Sequence, residues 1–167
     1  MDFIYHYRSP LGDMTMASNG TALTGVWFDH QKHYASTVGK DATLRKLPVF
    51  EMTEQWLNGY FRGIVPDFTP PLEIRGTTFR RDVWSVIQEI PYGQTTTYKE
   101  IASRIAAKHG LRSMSAKAVG GAVGHNPLVI IIPCHRVVGS DGSLTGYAGG
   151  TTLKSKLLAL EQSRTAL

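Results

Sequence analysis

The sequence holds a single cysteine, Cys134, in 167 residues. A disulfide framework within the chain is therefore impossible, and a cysteine-rich zinc site is excluded. Long apolar runs are missing too. The longest, Leu128 to Ile132, has five residues, against the roughly 20 that a membrane-spanning helix needs. The start, Met1-Asp2-Phe3-Ile4-Tyr5-His6-Tyr7-Arg8, has no basic segment leading into an apolar core, so no secretory signal is read there. The expectation is a chain at home in a reducing cytoplasm, with no membrane partner. Its 42% apolar and 19% charged residues are ordinary for a globular protein and exclude a disordered or collagen-like one.

Acidic residues are scarce in one half only. Residues 1–77 carry seven Lys/Arg against eight Asp/Glu, whereas residues 78–167 carry eleven against five. A basic second half suggests a polyanion as partner, nucleic acid first.

The first part reads as a small antiparallel sheet. Asp2 to Arg8, Gly12 to Ala17 and Ala22 to Phe28 are rich in β-branched, aromatic and alternating apolar residues. Ser9-Pro10-Leu11-Gly12 and Ser18-Asn19-Gly20 supply turns between them. Residues 29–42 are polar and carry no pattern. Met52, Trp56, Leu57, Tyr60 and Phe61 follow helical spacing within a helix from about Val49 to Phe61, ending near Gly63. Val65 to Pro71 holds three prolines and reads as a linker. Composition shifts there, which places a domain boundary near residue 75, with domains at 1–75 and 76–167.

The second part reads as mainly helical, giving an α/β (α+β) fold overall. Phe79, Val83, Trp84, Ile87 and Ile90 form one stripe, closed by Pro91-Tyr92-Gly93. Thr97-Tyr98-Lys99-Glu100 has the capping-box form, and Ile101, Ala102, Ile105 and Ala106 continue at helical spacing. After a polar turn, Ser115 opens a short helix from Ala116 to roughly Gly124. Two short helices joined by a turn in a basic region resemble a helix-turn-helix. The second is unusually slim. Lys117-Ala118-Val119-Gly120-Gly121-Ala122-Val123-Gly124 has almost no bulk, although an interior glycine costs about 1 kcal/mol against alanine. Such a helix can lie close to a narrow surface, and a DNA minor groove about 6 Å wide is one.

Asn126-Pro127 signals a turn, after which Leu128 to Ile132 reads as a buried strand running into Pro133-Cys134-His135-Arg136. A lone cysteine usually packs as a small hydrophobe. Here a histidine and an arginine follow directly, and such neighbours favour the nucleophilic thiolate. His30 and His33 have no further metal ligands around them and read as a solvated loop, and Gly139 to Ser143 reads as a tight turn.

These residues carry a resemblance. Ile132-Pro133-Cys134-His135-Arg136-Val137 is similar to the active-site signature of the O6-alkylguanine-DNA alkyltransferases. Pro91-Tyr92-Gly93, Tyr98, Ala118-Val119-Gly120, Gly124-His125-Asn126-Pro127, Gly146-Tyr147-Ala148-Gly149-Gly150 and the stretch from Lys154 to Glu161 follow in that family's order. The resemblance covers about residues 76 to 164. The earlier part resembles the family's sheet-and-helix domain only loosely, and it has none of the cysteines through which some members bind zinc there.

The resemblance implies direct reversal of DNA damage. The damaged nucleotide of a duplex containing O6-alkylguanine is flipped out, because the target atom lies inside the stack. Sulfur then attacks the alkyl carbon, leaving guanine and S-alkylcysteine in one irreversible turnover, with no cofactor and no metal. It implies Cys134 as acceptor, His135 as the base acting through a water, and Glu161 as the carboxylate that orients His135. Asn126 would brace the turn before the active-site segment, and Tyr98 would help rotate the nucleotide and donate a hydrogen bond to guanine. Val137, Tyr147 and Ala148 would line the base pocket, and Lys154 would hold the active-site loop. Lys117, Ala118, Gly120 and Gly121, with Arg112 and Arg136, would meet DNA. The chain would act as a monomer, with cooperative coating of DNA left open.

One departure stands out. Lys117 occupies the place where the family has an arginine finger, and lysine lacks the planar guanidinium. The turn from Lys108 to Ser115 is also longer than usual, which brings Arg112 forward for part of that role. Three other readings remain: a Cys–His hydrolase with Glu161 as third member, a recognition protein that binds alkylated guanine without reacting, and a plain helix-turn-helix transcription factor. The hydrolase leaves the basic half unexplained, the recognition protein has no use for Cys134, and a slim helix offering only Lys117 is poorly equipped to read bases.

Overall fold

The computed structural model describes residues 1–164 and shows a mixed α/β fold. Strands β1 (Phe3–Ser9), β2 (Gly12–Ser18), β3 (Leu23–Phe28) and the two-residue β4 (Thr43–Leu44) form a sheet in the order β3-β2-β1-β4. The first three are antiparallel neighbours and β4 runs parallel to β1. The β1–β2 hairpin closes on Pro10-Leu11, where Ser9 Oγ donates to the Gly12 carbonyl at 2.6 Å and accepts from Leu11 N at 3.1 Å. Helix α1 (Pro48–Phe61) starts on a proline, tolerated at the first position because that N–H has no helical partner. Its buried face, which includes Phe50, Leu57 and Tyr60, packs on the sheet, and the rings of Tyr5 and Phe50 stack at 6.1 Å.

β3 is buried along its whole length, because its outer edge is occupied by two distant segments. Leu23 N donates to the Pro71 carbonyl at 2.7 Å, and Glu73 N donates back to Leu23 O at 2.9 Å. Farther along, Val26 N donates to Pro127 O at 2.8 Å and Val129 N to Val26 O at 3.1 Å. The linker and the segment leading to Cys134 are thus both stitched to the same strand.

Helices α2 (Thr78–Ile87), α3 (Tyr98–Lys108) and α4 (Ala116–Gly124) pack on one another. Each starts with a hydroxyl residue whose oxygen accepts a backbone N–H three residues on: Thr77 from Arg80, Thr97 from Glu100 and Ser115 from Ala118. The sequence predicts the Thr97 cap and the helix start at Ser115, and the Thr77 cap adds to them. Trp84 Nε1 donates to Ala122 O at 2.8 Å in the last turn of α4, a carbonyl that also accepts from His125 N at 3.2 Å. The short pair β5 (Thr96–Thr97) and β6 (Val137–Val138) runs parallel and ties the start of α3 to the segment after Cys134. Helix α5 (Thr151–Ser163) buries Lys154, Leu157, Leu160 and Glu161 on one face.

Leu128 to Ile132 is buried but does not form the expected strand. Only isolated bridges occur, Val26 with Leu128 and Val129 with Ile132. Asn126 explains why. Its Nδ2 donates to Ile132 O at 2.8 Å while its Oδ1 accepts from Leu128 N at 2.9 Å. One carboxamide thus pinches both ends of the run into a turn, and Ile132 N closes it onto Leu128 O at 2.9 Å. Ile130 sits at φ 71°, a conformation that costs a β-branched residue on the order of 1–3 kcal/mol.

Candidate functional site

Cys134 opens a single 3₁₀ turn, Cys134–Arg136, rather than ending a strand. Three residues per turn fan its side chains apart by about a third of a revolution each. Cys134 and His135 therefore point apart. The thiol is wholly buried. Burial pushes its pKa up, while the Lys154 charge and a hydrogen bond with Asn126 pull it back toward the thiolate.

His135, also wholly buried, sits against Glu161 with Nε2 2.5 Å from Oε2. The carboxylate collects further donors. Tyr60 OH lies 2.6 Å from Oε2, Arg136 Nη2 lies 3.1 Å from Oε2, and Arg136 Nε and Gly93 N lie 2.7 and 3.1 Å from Oε1. Burial alone would raise the Glu161 pKa, but the hydrogen bonds and charges of His135 and Arg136 hold it far below the usual carboxylate range. Burial lowers the pKa of His135, with Glu161 opposing, so burial favours the neutral imidazole. His135 Nδ1 is buried and has no protein hydrogen-bond partner among the described residues.

Tyr98, at the first position of α3, donates its hydroxyl to Thr145 O at 2.7 Å. Burial and Cys134 push its pKa up to about 12, so the phenol stays protonated. Gly146 makes this approach possible. It adopts φ 94°, and a Cβ there would lie 2.6 Å from the Tyr98 oxygen. Lys154 is fully buried, with its ammonium on the Val137 carbonyl and 3.5 Å from Tyr98 OH. Burial pushes its pKa down to about 8. Val137 and Tyr147 are buried nearby, and the Tyr147 ring stands edge-on to His135 at 6.4 Å. The Ala148 carbonyl accepts from Lys32 N at 3.2 Å, and the His33 ring stacks on His125 at 3.8 Å. The loop that carries no sequence pattern therefore straps onto both the active-site loop and the end of α4.

Around α4, Lys117, Ala118 and Gly121 are exposed and Gly120 is partly so, and Arg112 is exposed on the preceding turn. A Cβ at Gly120 or Gly121 would meet nothing within 4 Å, so packing within the protein does not require either glycine. Arg136 departs from the sequence expectation. It faces inward, 8% exposed, with its guanidinium on Glu161 and on the Ile90 carbonyl, where Nη1 donates at 2.7 Å. A guanidinium fork matched to a buried carboxylate has no free donor face for DNA. Tyr60 was missed for the opposite reason. Its place in the apolar stripe of α1 reads as core, and the only signal was that a buried tyrosine hydroxyl needs a partner.

A wholly buried thiol next in sequence to a histidine–carboxylate pair, in an α/β fold whose basic half carries a helix-turn-helix with a slim second helix, defines a class of proteins that bring a single cysteine to a nucleic acid. Residues 78–163 match the 6-O-methylguanine DNA methyltransferase DNA binding domain, and residues 4–74 match the ribonuclease-like domain of the same proteins. The chain is 43% identical over 162 residues to a methylated-DNA–protein-cysteine methyltransferase of Mycobacterium tuberculosis, covering 95% of this chain and 93% of that one. It is 40% identical over 158 residues to the protein of that name from Haemophilus influenzae, covering 94% and 84%. The crystal structure of Mycobacterium tuberculosis OGT in complex with DNA superimposes with a TM-score of 0.86 at 40% identity, over 98% of this chain and 95% of that one. The chain belongs to the 6-O-methylguanine DNA methyltransferase family.

Proposed function

We propose that this protein repairs O6-alkylguanine in double-stranded DNA by moving the alkyl group onto Cys134 Sγ. The carrying observation is the geometry of the buried cluster. Glu161 holds His135 through Nε2, which leaves Nδ1 as the only ring nitrogen available to take the thiol proton. We assign that transfer to a bridging water. The thiolate then attacks the alkyl carbon, the carbon–O6 bond breaks, and its electron pair returns to the guanine ring, which regains a proton. A soft carbon electrophile suits a thiolate, and nothing in the cluster reverses a thioether, so each molecule acts once.

Tyr98, held protonated, serves as the donor toward the flipped base. Val137, Tyr147 and Ala148 shape the pocket, Lys154 braces the loop and favours the thiolate, and Asn126 locks the turn that presents Cys134. The slim face of α4, with Lys117, Ala118, Gly120 and Gly121, lies along the DNA, supported by Arg112. Residues 1–75 act as the supporting domain and 76–167 as the DNA-binding and acceptor domain, in a protein that works as a monomer. Some action on O4-alkylthymine would use the same displacement. No described helix is long and apolar enough to cross a membrane. A protein whose one thiol must stay reduced belongs in a reducing compartment, and we place it in the cytoplasm.

The test is mass spectrometry after mixing with a duplex holding one O6-methylguanine. The expected result is one methyl mass on the Cys134 peptide, saturating at one per molecule, with Cys134→Ser inert but still bound to DNA. Binding without mass gain would return the protein to the recognition-only class.

A further inference from the structure

We propose that Tyr60, contributed by α1 from the sheet-bearing half, is a positioning residue of the thiol-activating relay, whose hydroxyl sets how strongly Glu161 draws a proton onto His135. The proposal rests on the alkyl-transfer reading above.

The argument is a count of protons and lone pairs. A carboxylate offers about four acceptor sites. Five donors share them: Arg136 Nε and Gly93 N meet Oε1, while Oε2 takes the short contacts of His135 Nε2 and Tyr60 OH, at 2.5 and 2.6 Å, and a longer one from Arg136 Nη2 at 3.1 Å. The Tyr60 oxygen also lies 3.3 Å from His135 Nε2, but its single proton can serve only one neighbour. At 2.6 Å it serves the carboxylate. Nε2 brings its own proton to Oε2 independently, since two lone pairs facing each other at 2.5 Å would repel. That fixes the Nε2–H tautomer and leaves Nδ1 unprotonated, the form a base requires. Burial first, and then the charge of Glu161, keep the Tyr60 phenol protonated.

The hydroxyl is held rigidly. The Tyr60 ring lies 5.7 Å from Trp56 with planes 4° apart, and Phe61 and Tyr92 meet it edge-on. A phenylalanine would fill the same volume, so the hydroxyl is what this position adds. By drawing on the charge of Oε2, it weakens the pull of Glu161 toward an imidazolium and keeps His135 a neutral base.

Tyr60→Phe separates this from packing. Single-turnover transfer is followed from about pH 5 to about pH 9 on the O6-methylguanine duplex. With one donor gone, Glu161 favours the charged imidazole more strongly. The acid limb of the profile is expected to move up by roughly half a pH unit or more, and the neutral-pH rate to fall roughly three- to tenfold. Duplex affinity should stay within about twofold. An unmoved limb, a loss equal at every pH, or a matching loss of affinity each overturns the proposal. Nitrogen NMR of His135 in the free protein gives a second readout that needs no transfer. Nε2–H is expected in the parent, and Nδ1–H there overturns the assignment. A parent that transfers nothing overturns the underlying reading, whereas a transferring parent beside an unmoved Tyr60→Phe overturns only this proposal.

Discussion

At the scale of single residues, Glu161 ties most of the site together. Its side chain is 1% exposed and shares two hydrogen bonds with Arg136. Glu161→Gln leaves a buried guanidinium uncompensated, and breaking such a pair costs about 3–5 kcal/mol. The pH dependence follows from the direction of the shift. The folded protein holds this carboxyl below its ordinary value of 4.5, so its contribution is complete above that value and disappears as pH falls through the lower, folded one. Thermal melts should show the parent losing more stability on acidification than Glu161→Gln. Lys117 makes a different test. It is exposed on α4, and Lys117→Arg restores a planar group able to stack among bases. The variant should transfer faster in a single-turnover assay, with unchanged stability.

At the scale of elements, α4 is expected to trade stability for closeness to its partner. Gly121→Ala adds a methyl into open space and should stabilise the helix by up to about 1 kcal/mol. In the proposed orientation of α4 the same methyl stands on the DNA-facing side, so duplex affinity should fall as the melting temperature rises. Affinity and stability rising together would place DNA elsewhere. The helices themselves were legible because apolar spacing and capping hydroxyls are local signals. Cys134, His135 and Glu161 were legible from motif order, and the structure brings His135 and Glu161 within 2.5 Å of each other. Three features were hidden because they depend on the third dimension. Leu128 to Ile132 has strand composition, but the Asn126 side chain folds it into a turn. Arg136 resembles a surface cation until a carboxylate from α5 meets it, and Tyr60 resembles core until its hydroxyl finds Glu161.

At the scale of the whole molecule, the buried core runs without a break from the sheet through the helices. Three polar links reinforce it: Tyr60 to Glu161, Lys32 to Ala148, and Val26 to residues 127–129. Calorimetry should therefore show one unfolding transition. Two separated transitions would mean that the halves fold independently. The basic half sets the response to salt, because each neutralised phosphate releases counterions. The logarithm of duplex affinity should fall linearly with the logarithm of salt concentration, and Arg112→Ala should reduce the slope by about 1.

The double occupancy of the β3 edge bears on how the chain is made. During synthesis β3 leaves the ribosome about one hundred residues before the 127–129 segment that pairs with it. At translation rates of about 5–20 residues per second that interval lasts on the order of 5–20 s. Throughout it the Val26 end of a mostly apolar strand presents unpaired amides and carbonyls to its surroundings, a template for adhesion to other nascent chains. Slower translation between β3 and the arrival of Asn126 lengthens this exposure, so the yield of soluble protein depends on codon choice across residues 29–126 more than on codons before or after them.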